Sequence, residues 1–224
     1  MEILSVTESI VQYLRNQIIS GQLSPGQKLD QNEMTMRLNV SGPPLREAFR
    51  ILEHEHLVIN IPRNGFFVTD VSLEFCKEIY DARCMIESFS IDLLKENNIR
   101  NLPKVVSALY AASNLSSPPA ENSEQMLIYW KTFADYHVNL VESCGNRQLD
   151  YFYRSISSNL ARYQFMYLRV PGAYEDSIKD HQHILELLET GRYHNAKECL
   201  KLHISHAFEL LKSTMNPRED QHNT

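Results

Sequence analysis

Three histidines stand on otherwise apolar stripes at helical spacing: His137 with Trp130, Phe133 and Leu140, His181 with Ile178, Ile184 and Leu188, and His203 with Ala196, Leu200 and Ala207. A buried imidazole needs a hydrogen-bonding partner, and three such rings meeting in one interior would suit a divalent transition metal, zinc or nickel. Neutral imidazole is the ligand form, so such a site would lose its metal below about pH 6. The plain alternative is a satisfied core histidine at each position. A second group is the arginine pair Arg46 and Arg50, four residues apart in the stretch SGPPLREAFRILE at 41–53. A guanidinium offers two donors to guanine or clamps a phosphate. Its plain alternative is a solvated partner for Glu47, Glu53 or Glu55. No HExxH pattern, no Ser/His/Asp arrangement and no carboxylate placed as a general base accompany the histidines, so the chain is not expected to be an enzyme.

The elements that must carry these groups follow from periodicity. Apolar residues at Ile10, Tyr13, Leu14 and Ile18 predict a helix over 6–20, capped by Ser5 or Thr7. Gly21, Pro25 and Gly26 stop it, and Asp30 is placed to cap a short helix over 31–38, followed by a tight turn at Asn39-Val40. Ser41 is expected to cap a third helix. Pro43 and Pro44 start it without loss, because the first four N–H groups of a helix have no partner within it. Leu45, Ala48, Phe49 and Leu52 make its buried face, and Arg46 and Arg50 project together from the other side. β-formers at 56–61 and 66–68 around the turn Pro62-Arg63-Asn64-Gly65 predict a hairpin. Three short helices followed by a hairpin form a winged helix-turn-helix. From Leu73 onward every segment has helical character: 73–96, 102–114, 123–143, 148–168, 174–190 and 193–213. The fold is therefore expected to be mainly α: a winged helix-turn-helix at 1–70, an all-α helical bundle at 71–215, and a disordered tail at 216–224. Ser116-Ser117-Pro118-Pro119 is the clearest internal loop.

Composition narrows the partners. The 224 residues carry a formal net charge of -6, so no global positive field draws the chain to nucleic acid or anionic lipid. Residues 1–70 hold six basic side chains (Arg15, Lys28, Arg37, Arg46, Arg50, Arg63) and eight acidic ones (Glu2, Glu8, Asp30, Glu33, Glu47, Glu53, Glu55, Asp70), hence 6 − 8 = −2. Any DNA binding must come from specific local contacts. No apolar run is long enough to span a bilayer, and MEILSVTES lacks the pattern of a signal peptide, so a cytoplasmic location is expected. Four cysteines without a CxxC pair suit reduced thiols.

The patterns ISGQLSPGQKL, LNVSGPPLREAFRILEHEHLV and PRNGFFV resemble the DNA-binding domain of GntR-type bacterial transcription regulators. YDARCMIE, DYHVNLVESCGN and KDHQHILELLETGRYHNAKECLKLHI resemble the helical FCD effector domain of their FadR branch. The resemblance implies a homodimer that binds double-stranded operator DNA with two half-sites. It also implies that affinity changes when a small molecule, often an organic acid, enters each helical domain, and that most members repress. It places DNA contacts at Ser41, Arg46, Arg50, Arg63 and Gly65, where the glycine lets the backbone approach the minor groove. The family's usual arginine after the capping residue is Gly42 here. Effector contacts fall on Arg83, the arginine of an R-x-x-[I/L]-E motif completed by Ile86-Glu87, and on His137, His181 and His203. Tyr80, Asn159 and Arg162 are weaker candidates, and Tyr153, Tyr163 and Tyr167 are expected in the core. The same three histidines match the family's metal ligands, but the Asp that normally supplies the fourth is Phe133 here. The nearest carboxylate, Asp135, should point away on a helix. Without a metal, the histidines would hydrogen-bond the effector directly. Arg83 has its own plain reading, an i,i+4 ion pair with Glu87. His183 and His206 are expected at the surface, His206 one turn from His203. Two readings compete with the regulator: a metal-dependent enzyme using the three histidines, and a helical scaffold whose winged helix binds protein.

Overall fold

In the computed structural model of the chain, which describes residues 4–115 and 123–216, the polypeptide divides into two compact units, Met1–Ser72 and Leu73–Thr224. The predicted loop at 116–119 and all of the predicted tail after Asn216 lie outside the described residues.

In the first unit, α1 (Val6–Ile19) begins with a capping box in which the Ser5 hydroxyl accepts from the Glu8 amide and the Glu8 carboxylate accepts from the Ser5 amide. Helix α2 (Gln31–Leu38) is capped by Asp30, which accepts from the Glu33 amide at 2.9 Å, and it ends at Asn39 in the left-handed region. Helix α3 (Gly42–His54) carries both prolines in its first turn, as expected. Ser41 stands at the capping position, but its side chain makes no capping hydrogen bond, so the expected cap is corrected. With Pro43 and Pro44 at the second and third helical positions, the amides a cap would ordinarily satisfy do not exist.

The hairpin is β2 (Val58–Ile61) and β3 (Gly65–Val68), with Val58 opposite Val68 and Ile61 opposite Gly65. The strand predicted from residue 56 starts two residues later. The His56 amide donates to the Glu53 carbonyl and the Leu57 amide to the Leu52 carbonyl, and with His56 at φ +57° this closes the end of α3 before the strand can begin. A two-residue strand missed in the sequence, β1 (Lys28–Leu29), pairs antiparallel with β3 and gives the order β1-β3-β2. Two residues carry no period, so only the partner strand defines it. The apolar face of α3 (Leu45, Ala48, Phe49, Leu52) packs with Ile10, Leu14, Leu29, Leu57 and Val68, and the Phe49 ring meets Phe66 at 5.0 Å.

The second unit is helical throughout its described residues: α4 (Leu73–Glu96), α5 (Pro103–Ser113), α6 (Ser123–Ser143), α7 (Arg147–Tyr167), α8 (Ala173–Glu189) and α9 (Tyr193–Met215). Helix α4 packs on α9, α7 and α6, α8 packs on α9 and α5, and α6 packs on α5 and α7. The interior faces of α4, α6, α7, α8 and α9 thereby enclose one core. Among the described residues, no helix is long and apolar enough to cross a membrane.

The Phe49 side chain is fully buried. Phe49→Ala should therefore cost about 3–5 kcal/mol in the unfolding of the first unit, read from urea denaturation followed by circular dichroism.

Candidate functional site

On the first unit, Arg46 and Arg50 are both exposed on α3, one helical turn apart, opposite its buried face. The acidic partner of Arg50 is Glu47, 3.9 Å away with both side chains mostly exposed, a pairing too solvated to hold the guanidinium. Arg15 is different: it donates to both carboxylate oxygens of Glu55, at 2.9 and 2.5 Å, and joins α1 to the end of α3. At the hairpin tip, Arg63 is exposed with φ +66° and Gly65 takes φ +99°, a conformation that glycine adopts without strain.

Two residues near these groups escaped the sequence reading. A side-chain carbon at Gly42 would sit 3.0 Å from Gln31 Nε2 and 3.4 Å from Arg46 Nη1. The absent side chain is what lets Gln31, from α2, and Arg46 gather at the start of α3. Lys28 on β1 lies beside the hairpin, its Cε 3.9 Å from where a Gly65 Cβ would be. Neither was visible without the tertiary fold, because both come from other elements.

On the second unit, the structure brings together four of the predicted residues: His137 from α6, His181 from α8, His203 from α9 and Arg83 from α4, all buried. The centre is organised by Glu87, which has no solvent exposure. Its Oε1 accepts from Arg83 Nε at 2.7 Å and from the Tyr153 hydroxyl at 2.9 Å, and its Oε2 accepts from His137 Nδ1 at 2.8 Å. A carboxylate only accepts, so the His137 proton sits on Nδ1. The lone pair on Nε2 then accepts from Arg83 Nη2 at 2.7 Å. The same logic fixes the other pair. His203 Nδ1 donates to Asp180 Oδ2 at 3.1 Å, so His203 Nε2 accepts from His181 Nε2 at 3.2 Å.

Rings close the remaining faces. Tyr136 stacks on His181 at 4.0 Å, and its hydroxyl donates to the His181 carbonyl. Phe133 lies 5.2 Å from His181 and 6.0 Å from His137, with Tyr167 and Tyr174 behind it. Tyr80, Asn159 and Arg162 are buried, and Tyr153, Tyr163 and Tyr167 are core residues. Along the same stripe of α6, Trp130 donates to Gln164 Oε1 at 3.1 Å, while the buried Gln164 Nε2 has no hydrogen-bond partner. Outside His203, a cleft of about 260 Å³ is lined by Asp180, His183, Cys199, Leu202, His203 and His206. His183 and His206 are exposed there, Asp135 is exposed as expected, and Asp180 was missed because adjacency to His181 suggests the opposite face of α8.

Burial dominates the protonation states. It disfavours the imidazolium of His137, the Arg83 charge adds to this, and Glu87 only partly opposes, so the pKa falls from 6.5 to about 4. His181 and His203 are lowered for the same first reason, with the Asp180 hydrogen bond opposing it at His203. Burial alone would raise the Glu87 carboxyl, but the Arg83 charge and the His137 contacts hold it well below the usual carboxylate range. Burial would likewise weaken the Arg83 cation, and the Glu87 charge more than restores it.

The fit to a metal can be tested on this geometry. The candidate ligand atoms of the three histidines lie within 4.8 Å of one another, and the 3.2 Å between His181 and His203 suits two ligands of one ion. The Nε2 of His137 is already engaged by the Arg83 guanidinium at 2.7 Å, and a phenyl ring stands where the resemblance places the fourth ligand. Structural zinc sites take four protein ligands and catalytic ones three. As arranged, these residues do not fit such an ion. The expected alternative for Arg83, the i,i+4 pair with Glu87, is present, and it lies inside the bundle.

A winged helix displaying two exposed guanidiniums, carried on the same chain as a helical unit with a buried polar centre, defines a DNA-binding protein with a second, non-reading module. The sequence pattern described as "Bacterial regulatory proteins, gntR family" matches residues 6–68, and that of the FCD domain matches residues 78–206. The chain belongs to the GntR family of transcription regulators, with an FCD domain. It is 27% identical over 209 residues to the HTH-type transcriptional repressor GlaR of Escherichia coli K12, covering 91% of this chain and 94% of that protein. It is 24% identical over 203 residues to the HTH-type transcriptional regulator YdhC of Bacillus subtilis 168, covering 90% and 89%. The solved structure of E. coli McbR/YncC shares the fold, with a TM-score of 0.75 at 18% identity, covering 96% of this chain and 100% of that one.

Two outcomes follow. Because the unfolded chain takes up protons at the histidines before the folded one does, stability is full above about pH 6.5 and is lost as pH falls toward about 4. For His137 the slope reaches about 1.4 kcal/mol per pH unit, and His181 and His203 act in the same direction, measurable as thermal midpoints across that window; a flat profile would contradict the buried neutral rings. Separately, Glu87→Ala strands the Arg83 charge in the core and should destabilise the helical unit by about 3–5 kcal/mol in urea titrations.

Proposed function

We propose that the chain is a metabolite-responsive repressor that binds a two-half-site operator as a homodimer and releases it when a small organic acid occupies the FCD domain. The observation that carries this reading is the buried ion pair of Glu87 and Arg83, with neutral His137 hydrogen-bonded to both. Desolvating such groups is costly, and a helical bundle needs none of them to pack. In this reading residues 1–70 read DNA and residues 71–215 receive the effector. Arg46 and Arg50 address base edges and phosphate, while Ser41, Arg63 and Gly65 hold the backbone contacts. Since residues 1–70 are net negative, affinity depends on these few side chains rather than on bulk charge. Repression is supported by the relative GlaR, named as a repressor.

The effector's carboxylate enters by the cleft over His203, where it competes with half-exposed Asp180 for the Nδ1 proton. Behind His203 stand His181, which donates to it, and the Arg83–His137 pair. Because His203 and His181 belong to α9 and α8, exchanging the hydrogen-bond partner favours one packing of these helices over another, a population shift driven by differential affinity. Dimerisation is supported by the exposed Met85 and Phe89, one turn apart on α4. The regulation does not need a chemical turnover step, and the residues that carry it are binding groups.

Arg46→Ala should weaken operator binding by about 1–3 kcal/mol, roughly five- to a hundred-and-fifty-fold, with the fold intact by circular dichroism. Undiminished affinity in a gel-shift titration with an operator fragment would overturn the assignment of Arg46.

A further inference from the structure

We propose that the histidine centre of this chain works without a metal ion, the Arg83 guanidinium standing as its permanent cation and orienting His137 in the metal's place. The proposal rests on the reading of this centre as the effector site, which it refines. Four observations support it.

First, the nitrogen that His137 could offer an ion is already taken by a cation. Its Nδ1 proton is bound by Glu87 at 2.8 Å, and its Nε2 lone pair receives Arg83 Nη2 at 2.7 Å. To coordinate an ion through Nε2, the ring would have to release Arg83 Nη2, leaving the buried guanidinium with its Glu87 bond and one N–H without a partner.

Second, the position from which a carboxylate would complete the shell belongs to Phe133. Its ring faces both His137 and His181, and Tyr167 and Tyr174 pack against it. An apolar wall of this kind cannot supply a ligand, and it leaves no second anion.

Third, the charges already close. One guanidinium and one carboxylate, paired at 2.7 Å, neutralise each other in an interior with almost no solvent exposure. A dication added beside them would bring two uncompensated positive charges into the core. The remaining carboxylate near the rings, Asp180, is 47% exposed and lies on the outer side of His203. Buried charge is tolerated when it is paired, and here no further anion is in place.

Fourth, His181 and His203 do not require an ion to explain their approach. The Asp180 carboxylate sets the proton on His203 Nδ1, and His181 donates to the nitrogen that remains. The three rings, close as they are, are held in two hydrogen-bonded chains, one ending on Glu87 and the other on Asp180.

The consequence for recognition is specific. An effector here is not chelated, so it needs no pair of oxygens arranged to grip one ion. A single acceptor group suffices, matched to N–H donors.

The test uses the full chain, purified without an affinity tag that binds metal and without chelators, from cells grown with added zinc and nickel salts. Elemental analysis should find far less than one equivalent of transition metal per chain. Added zinc, nickel or the chelator EDTA should leave the thermal midpoint unchanged, since a ligand that binds only the folded state would raise it. Cobalt should give no ligand-field spectrum of a histidine-bound ion. In Phe133→Asp, which supplies the missing carboxylate, cobalt should give that spectrum and zinc should raise the midpoint. About one equivalent of retained metal in the unaltered chain, or a zinc-dependent rise in its midpoint that His203→Ala removes, would overturn the proposal. So would a Phe133→Asp variant that binds cobalt no better than the parent, since Phe133 would then not be what withholds the ion. None of these outcomes bears on operator binding, so the regulator reading stands or falls separately in the gel-shift titration.

Discussion

The carboxylate of Glu87 is the constraint on which the helical unit is organised. It has lost its water entirely, and three donors from three other side chains replace it: Arg83 one turn earlier on α4, His137 on α6 and Tyr153 on α7. Each donor is itself fixed by the choice. Arg83 lies alongside the Tyr80 ring, His137 acquires a defined tautomer, and Tyr153 gives its hydroxyl a partner that a buried phenol requires. Such a network is worth little as net stability, because desolvation offsets most of the attraction. Its effect is specificity: α4, α6 and α7 have one arrangement in which every member is satisfied.

The winged-helix unit is built on the opposite principle. Its interior is hydrocarbon, with Leu14, Leu45, Phe49 and Leu52 sealed from solvent, and its charged groups are left outside. Where an arginine has a structural task, as Arg15 has with Glu55, it is half-buried and held at two points. Arg46 and Arg50 have no such tie, so their hydration and side-chain freedom are available to be exchanged for contacts with a polyanion. One molecule thus separates polar groups held rigidly in a core from polar groups kept free at a surface.

Much of this was legible in the sequence. Period and punctuation placed the helices within a residue or two, because each carries an apolar stripe long enough to define a phase, and the R-x-x-I-E motif put Arg83 and Glu87 on one face of α4. The three histidines belonged to the interior for the same reason. Strand β1 was missed and the start of β2 was placed two residues early, since short segments at the edge of a small sheet are defined by their partners. The cap expected of Ser41 failed because it was inferred from residue type, while the following prolines had removed the donors.

What the chain determined alone was therefore local: which residues form helices, which face of each is apolar, and which ionisable groups interrupt that face. These depend on neighbours within a turn, whose spacing is fixed by the backbone. What only the tertiary structure decided was pairing across helices: that Glu87 meets His137, that Asp180 reaches across to His203, and that Gln31 stands beside Arg46 where Gly42 leaves room. Within the Glu87 network such partners lie as many as 66 positions apart and are selected by the requirement that every polar atom left without water find another, a condition that has no meaning until the helices have met.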